Sequence, residues 1–144
     1  MNDHRTIAVE AAKEAGDILL ELSKSPLEYK LKSARDIQAE ADLKADEIIK
    51  AKIKAAFPDH NILAEESGDA GVDSKYLWVI DPLDGTINYA RGIEEYAVFL
   101  FVWIAGQSFV ATAFWHVAGE GIKNGCNELA AHSNKPKWSH CYAE

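Results

Sequence analysis

Apolar residues recur at helical spacing over the first part of the chain. Between residues 5 and 23 they fall three or four positions apart, and Ser25-Pro26 then ends the pattern. A second helical pattern covers residues 39–57 and stops before Pro58, because a residue that precedes proline is disfavoured in helical geometry. The sequence therefore predicts two amphipathic helices.

The segment between these helices, residues 27–37, has mixed character and is interpreted as a short strand or hairpin. Lys30, Lys32 and Arg35 give it a local positive charge, which by itself is typical of a solvated surface. Asp42 follows in the first turn of the second predicted helix, where the helix dipole favours a carboxylate. Taken alone, neither Lys32 nor Asp42 indicates a function.

Short apolar runs, typical of buried strands, follow the second helix. The last two are separated by Gly106-Gln107, which predicts a hairpin turn. Two helices followed by strands predict an α+β domain, or a layered α/β sandwich. The predicted strands cover residues 62–64, 77–80, 97–105 and 109–117.

The size and composition of the chain fit one globular domain. It has 144 residues, of which 48% are hydrophobic and 26% are charged. The apolar periodicity decays after the last predicted strand. We therefore divide the chain into a domain at residues 1–117 and a divergent or truncated tail at residues 118–144.

Charge and hydropathy exclude several classes of partner. The formal net charge of −8 opposes general nucleic-acid binding, which relies on clustered Lys and Arg. No apolar run reaches the length of a membrane span, and Met1 to Arg5 lead into an amphipathic pattern rather than a signal-peptide core. Cys126 and Cys141 are too few for a disulfide framework. We expect a cytoplasmic protein without nucleic-acid or membrane partners.

Carboxylates follow the first two predicted strands, and Pro82 fixes the backbone between the last two of them. Gathered carboxylates repel one another, and a hard divalent cation removes that cost while accepting oxygen ligands. The carbonyl of Leu83 is a further oxygen, and residues 81–88 contain no His or Cys to favour a softer metal. The pattern therefore indicates Mg²⁺ rather than zinc. The four carboxylates are Glu65, Glu66, Asp81 and Asp84.

The next residues have the chemistry of a phosphate-binding turn. Gly85 allows the backbone to approach a ligand closely, and residues 87–90 have a sequence that can begin a helix. Thr86 adds a hydroxyl that can hold a water or a phosphate oxygen. Asp-Pro and Asp-Gly are also common turn sequences, so only the combination of acids, glycine and hydroxyl points to a site.

These motifs resemble those of the inositol monophosphatase family, in the superfamily of magnesium-dependent phosphatases of the lithium-sensitive type. The resemblance covers roughly four-fifths of the chain, up to about Val117, and the stretch that contains the Asp-Pro-Leu-Asp-Gly-Thr sequence is highly specific. The matching segments are Leu63–Gly68, Trp78–Tyr89, Lys32–Ile37, Glu40–Asp42, Gly92-Ile93 and Tyr96–Val98.

The resemblance implies the amino-terminal part of an αβαβα fold that lacks its second domain. It implies a Mg²⁺-dependent phosphomonoesterase that hydrolyses myo-inositol 1-phosphate by means of a metal-activated water. Fructose-1,6-bisphosphatase activity, 3'-phosphoadenosine 5'-phosphate phosphatase activity and a catalytically inactive metal-binding fragment are the alternatives. Family members commonly form homodimers, so a homodimer is the expected assembly.

The resemblance also implies the roles of individual residues. Glu65, Asp81 and Asp84 are expected to bind metal through their side chains, and Leu83 through its carbonyl. Glu66 matches the same motif but is not the first choice as a ligand.

The remaining roles concern the nucleophile and the phosphate. Thr86, supported by Asp42 and acting with Glu65, is expected to position the attacking water. Gly85 and Thr86 are expected to present amides to the phosphate, and Lys32 corresponds to an auxiliary lysine at the rim of the site.

The sequence departs from the family pattern in two respects. Family members continue into a second domain, which contributes a further metal-ligand aspartate and much of the alcohol-binding surface. Residues 118–144 also lack the expected glycine-rich hairpin with alternating apolar residues. We expect these differences to weaken metal binding and turnover.

Overall fold

The computed structural model describes the chain in six segments, within which it contains three helices and six strands. The backbone is described for residues 3–24, 34–64, 68–69, 74–104, 111–118 and 121–125, and the side chains for residues 3–24, 40–64 and 74–104. The helices are α1 (His4–Ser23), α2 (Ala34–Ala56) and α3 (Thr86–Ala90). The strands are β1 (Asn61–Ala64), β2 (Gly68–Asp69), β3 (Tyr76–Asp84), β4 (Tyr96–Ile104), β5 (Ala111–Ala118) and β6 (Gly121–Gly125).

Both predicted amphipathic helices are present, but the second begins earlier than its apolar pattern indicated. Helix α2 starts at Ala34 rather than near residue 39, so the interpretation of residues 27–37 as a strand or hairpin is wrong over residues 34–37. Its first residues include no Gly or Pro, and their helix propensity extends the helix. None of the helices in these segments is long and apolar enough to span a membrane.

This earlier start changes the account of Asp42. The residue lies more than two turns inside α2 instead of in its first turn, and its side chain is only 6% exposed. The helix dipole acts mainly within the first turn, so it does not explain the position of Asp42. Because a buried carboxylate is costly unless it is paired, Asp42 is instead expected to interact with polar groups nearby.

One mixed sheet contains all six strands, in the order β2-β1-β3-β4-β5-β6. Strands β1 and β3 are parallel, whereas the other neighbouring pairs are antiparallel. The four predicted strands are confirmed within the described residues, and β3 is longer than predicted. The predicted strand ends at residues 105 and 109–110 and the predicted turn at Gly106-Gln107 lie outside the described residues. Strand β6 pairs with β5 in antiparallel fashion, with Ala118 opposite Gly121. The sequence did not predict β6, because this region shows little apolar periodicity.

The core lies between one face of this sheet and the two long helices. Helix α1 packs along α2 and against β4 and β5, while α2 packs against β3. The inward side chains of the two central strands are at most 2% exposed, which fits a layered α/β arrangement. They are Trp78, Ile80, Val98, Leu100 and Val102.

The opposite face of the sheet is also apolar, and no described element covers its centre. Leu63 and Trp103 on this outer face are 38% and 44% exposed. Cross-strand pairing places Leu77 beside Trp103 and Val79 beside Phe101. An apolar surface of this kind is typical of an interface.

A core substitution tests this packing. We expect Ile53→Ala to lower the free energy of unfolding by about 2–4 kcal/mol, because it leaves a cavity between α2 and the sheet. Ile53 is 0% exposed, whereas Leu43, on the same helix, is 54% exposed. The matched control Leu43→Ala should change the unfolding free energy by no more than about 0.5 kcal/mol. Urea unfolding followed by circular dichroism measures both, and equal losses would contradict the assignment of the core face.

Candidate metal and phosphate site

The two candidate aspartates lie at the carboxyl end of β3, at an irregularity of the strand. Asp81 pairs with Phe99 of β4, Asp84 pairs with Ala97, and the register shifts between them. The sequence placed both acids in a turn beyond the strand, and this is wrong because β3 continues to Asp84. Proline has no N–H to give to a strand ladder, and strands accommodate it at such irregularities.

Hydrogen bonding and burial hold this end of β3 in place. Oδ1 of Asp81 accepts a hydrogen bond from the backbone N–H of Leu83, with a distance of 3.2 Å. The side chains of Pro82 and Leu83 are buried, whereas Asp81 is half-buried and Asp84 is exposed. The carboxylates therefore extend from a fixed backbone toward the edge of the molecule.

The donor atoms at this end of β3 fit Mg²⁺. They are carboxylate oxygens of Asp81 and Asp84 and the carbonyl of Leu83, which are hard oxygen ligands. Within the segments listed above, no three His, Cys, Asp or Glu side chains form a metal-binding group, so these two carboxylates need another ligand. The sequence-predicted ligand Glu65, its neighbour Glu66 and the auxiliary Lys32 lie outside the described residues.

Gly85 connects β3 to the short helix α3 in a conformation that suits glycine. Its φ of 88° and ψ of 34° are left-handed. A Cβ atom at this position would lie 2.9 Å from the carbonyl oxygen of Glu95 and 3.2 Å from Cα of Tyr96. The backbone of the turn therefore packs directly on the start of β4, and a side chain here would force the two apart.

Helix α3 begins at Thr86, as the sequence predicted within one residue. The backbone N–H of Tyr89 donates to the carbonyl of Gly85 over 3.0 Å, which closes the first turn. Thr86 is half-buried. Its hydroxyl lies at the start of α3, shortly after the two aspartates in sequence.

Asn88 holds the loop that follows, a role that no separate signal in the sequence predicted. Its side-chain amide donates to the carbonyl of Glu95 over 3.0 Å. Its own carbonyl accepts from the N–H of Ile93 over 2.9 Å. Residues 91–95 are exposed, so Asn88 rather than burial holds this loop beside the Gly85 turn.

Two tyrosines anchor the turn to the rest of the domain. The hydroxyl of Tyr89 donates to the carbonyl of Leu19 in α1 over 3.0 Å, and both groups are buried. The ring of Tyr89 meets the ring of Tyr96 edge to face, with centroids 4.8 Å apart. Burial raises the pKa of the Tyr96 hydroxyl. The tyrosines were predicted only as part of the family motif, and their contacts require the tertiary structure.

Asp42 approaches the site from another layer. It lies on the buried side of α2, and α2 contacts α3, the helix that begins at Thr86. Asp46, one turn later, is also buried and is 5% exposed. The structure thus brings the helix that carries Asp42 against the helix that begins at Thr86. The support of Thr86 by Asp42 stays a prediction.

Comparison with known proteins identifies relatives along most of the chain. A sequence profile described as the inositol monophosphatase family matches residues 1–137. A protein named Nus factor SuhB from Pasteurella multocida is 36% identical over 134 residues, covering 85% of this chain and 50% of that protein. The SuhB protein of Xylella fastidiosa is 40% identical over 110 residues, covering 75% of this chain and 40% of its own. The chain thus spans half or less of the length of these relatives.

Solved structures agree with this assignment. The extragenic suppressor protein suhB of Bartonella henselae has a TM-score of 0.64 and 33% identity, with 76% of this chain and 42% of that chain covered. An inositol monophosphatase from Anabaena has a TM-score of 0.61 and 32% identity, with 82% of this chain and 45% of that chain covered. The fold is therefore the α/β fold of these two proteins, over its amino-terminal part. The sequence profile, the relatives and the geometry of β3 and α3 together show that this chain belongs to the inositol monophosphatase family.

Proposed function

We propose that this chain carries the metal- and phosphate-binding part of a Mg²⁺-dependent phosphomonoesterase, with myo-inositol 1-phosphate as the leading substrate. The observation that carries the proposal is the end of β3, where Asp81, Leu83 and Asp84 offer oxygen ligands immediately before the Gly85 turn. Membership of the inositol monophosphatase family supports the same chemistry.

Different residues of this chain bind the metal and the phosphate in the proposed reaction. Asp81 and Asp84, with Glu65 and the carbonyl of Leu83, hold the metal. The amides of Gly85 and Thr86 bind phosphate oxygens, and Lys32 assists at the rim. When bound, Mg²⁺ supplies positive charge that offsets the charge developing on the phosphate and the leaving alcohol.

Thr86 and Asp42 have a positioning role in this proposal. The Thr86 hydroxyl orients the attacking water in line with the bond that breaks, and Glu65 acts with it. Asp42 accepts the hydroxyl proton of Thr86 in a hydrogen bond, which leaves the lone pairs of Thr86 directed at the water. The contact between α2 and α3 supports this arrangement.

The family comparison supports an inositol monophosphate as the proposed substrate. A relative from Anabaena is named an inositol monophosphatase, and this chain is 32% identical to it. Fructose-1,6-bisphosphate and 3'-phosphoadenosine 5'-phosphate are the alternative substrates.

A second candidate function is metal binding without catalysis. The chain covers 40–50% of the length of the two SuhB relatives described above. The outer face of the sheet, whose centre no described element covers, reaches the site, because Asp81 pairs with Phe99 on that face. Metal and phosphate binding needs only the ligands of β3 and the Gly85 turn, whereas turnover also needs a complete set of ligands in the correct geometry.

We also propose a cytoplasmic location and self-association. The acidic composition and the small number of cysteines support the location. The exposed Leu63 and Trp103 of the outer face support a homodimer.

Phosphate release tests the proposed activity. The protein should release inorganic phosphate from myo-inositol 1-phosphate in the presence of Mg²⁺, and Asp84→Asn should reduce the rate at least about 100-fold, because it removes one metal-ligand charge. The control Glu47→Gln, an exposed acid of α2, removes the same charge away from the site and should leave the rate unchanged.

Metal titration separates the two candidate functions. Calorimetric Mg²⁺ binding that Asp84→Asn weakens, without phosphate release by the unchanged protein, would leave only the non-catalytic function. Binding that is equal in the unchanged protein, Asp84→Asn and Glu47→Gln would rule out the assigned site.

The turn at Gly85 provides a second prediction, with a matched glycine as its control. Gly85 and Gly92 both have left-handed φ, 88° and 72°, but a Cβ atom at Gly92 meets nothing within 4 Å. Gly92→Ala should cost about 1–2 kcal/mol from backbone strain alone. Gly85→Ala should cost about 3 kcal/mol or more, because its Cβ also collides with the backbone of Glu95 and Tyr96.

Urea unfolding measures these costs, and calorimetry with Mg²⁺ and inorganic phosphate measures the effect on the site. Gly85→Ala should weaken phosphate binding, whereas Gly92→Ala should preserve it. Equal unfolding costs for the two variants would show that the close packing of Gly85 is not a constraint.

A further inference from the structure

Five aromatic rings pack together at the end of the domain where α1 begins and α2 ends. His60 lies at the centre of this aromatic cluster, stacked on Tyr76 with ring centroids 4.2 Å apart and on Phe57 at 4.5 Å. His4, the first residue of α1, stacks on Phe57 at 4.6 Å and on His60 at 5.3 Å. Trp78 of β3 completes the group. The cluster thus joins the start of α1, the turn after α2 and the beginning of β3.

One hydrogen bond determines the protonation state of His60. The indole N–H of Trp78 donates to Nδ1 of His60 over 3.0 Å. Nδ1 must therefore carry a lone pair, and the single proton of the neutral imidazole is on Nε2. Trp78 is 0% exposed and His60 is 8% exposed, so water cannot readily replace either partner. A second proton on His60 would place two N–H groups against each other.

The groups around His60 oppose its positive form overall. Burial lowers the pKa of His60 to about 4, and the charges of His4 and Lys54 add to this effect, while Asp59 opposes it. Burial also lowers the pKa of His4, against the effect of Asp3. On the strand side, Tyr76 faces His60, and the ammonium of Lys75 lies 5.3 Å from the centroid of the Tyr76 ring. A positive His60 would therefore have cations on the α2 and strand sides.

We propose that the aromatic cluster is an acid-sensitive clasp, which holds the first turn of α1 against the turn after α2 and the start of β3, and which opens when His60 takes a proton on Nδ1. Ile7 and Ala8 bury their side chains in the core, whereas His4, at the outer end of this turn, contacts Phe57 and His60 through its stacked ring. The N–H of Ile7 donates to the carbonyl of Asp3 over 3.1 Å, so the first hydrogen bond of the helix closes beside this ring. Protonation breaks the bond from Trp78 and puts a charge among stacked rings. The clasp does not depend on the proposed phosphatase function.

The direction of the pH effect follows from the lowered pKa of His60. The clasped state binds fewer protons than the open state between the ordinary histidine pKa near 6.5 and about 4. The clasp is therefore fully formed above pH 6.5, and it weakens as the pH falls through this interval. The pKa of His4 is also lowered, so its protonation likewise weakens the clasp as the pH falls.

Amide hydrogen exchange tests the clasp. Protection factors, which correct for intrinsic exchange at each pH, should fall roughly 30-fold for the amides of residues 7–10 between pH 7.5 and pH 5. The matched control is His60→Asn, whose side-chain oxygen can accept the Trp78 hydrogen bond but cannot be protonated in this range. Its protection at residues 7–10 should change no more than about 3-fold over the same interval, the remainder coming from His4.

Protection in the unchanged protein that is independent of pH would overturn the proposal, and so would an equal loss in His60→Asn. Nitrogen NMR of the imidazole gives a second measurement that does not depend on the folding of a variant. It should show a neutral ring with its proton on Nε2 and a titration well below pH 6.5. A His60 that titrates at or above pH 6.5 would also overturn the proposal.

Discussion

The burial of the inner face of β3 beneath α2 is the constraint on which the other features depend. Trp78 and Ile80 are 0% and 2% exposed, and they fix this strand in position and in register between β1 and β4. Because alternate residues of a strand point to opposite faces, burying these two also sets the face on which Val79 and Asp81 lie. The same strand thus contributes to the aromatic cluster at its beginning and carries the candidate metal ligands at its end.

Much of the fold was predictable from the sequence, since its strongest signals are local. The apolar periodicity of residues 5–23 and the run at residues 97–105 needed no tertiary information, and the structure contains α1 and β4 there. The start of α2 was missed because residues 34–38 carry no apolar stripe, and helix propensity decided the outcome. Strand β6 was missed because its pairing with β5 relies on backbone hydrogen bonds rather than on a repeated apolar pattern.

The candidate site was predictable in its ligand chemistry but less so in its geometry. Asp81, Asp84, Gly85 and Thr86 were found from residue type, spacing and family resemblance. That both acids lie inside a strand with a register shift was not predictable, because a proline between two aspartates is typical of a turn as well. The contact of Gly85 with Glu95 and Tyr96 was hidden for a similar reason, since it joins segments that only the sheet brings together.

The hydrogen bond between the Tyr89 hydroxyl and the Leu19 carbonyl has a consequence for the order of folding. It spans 70 positions of the chain, so it forms only after a long loop has closed. The first turn of α3 closes over only a few residues, since the N–H of Tyr89 donates to the carbonyl of Gly85. Its placement against α1 belongs to a non-local step. A change that loosens α1 therefore also removes a buried support of the Gly85 turn.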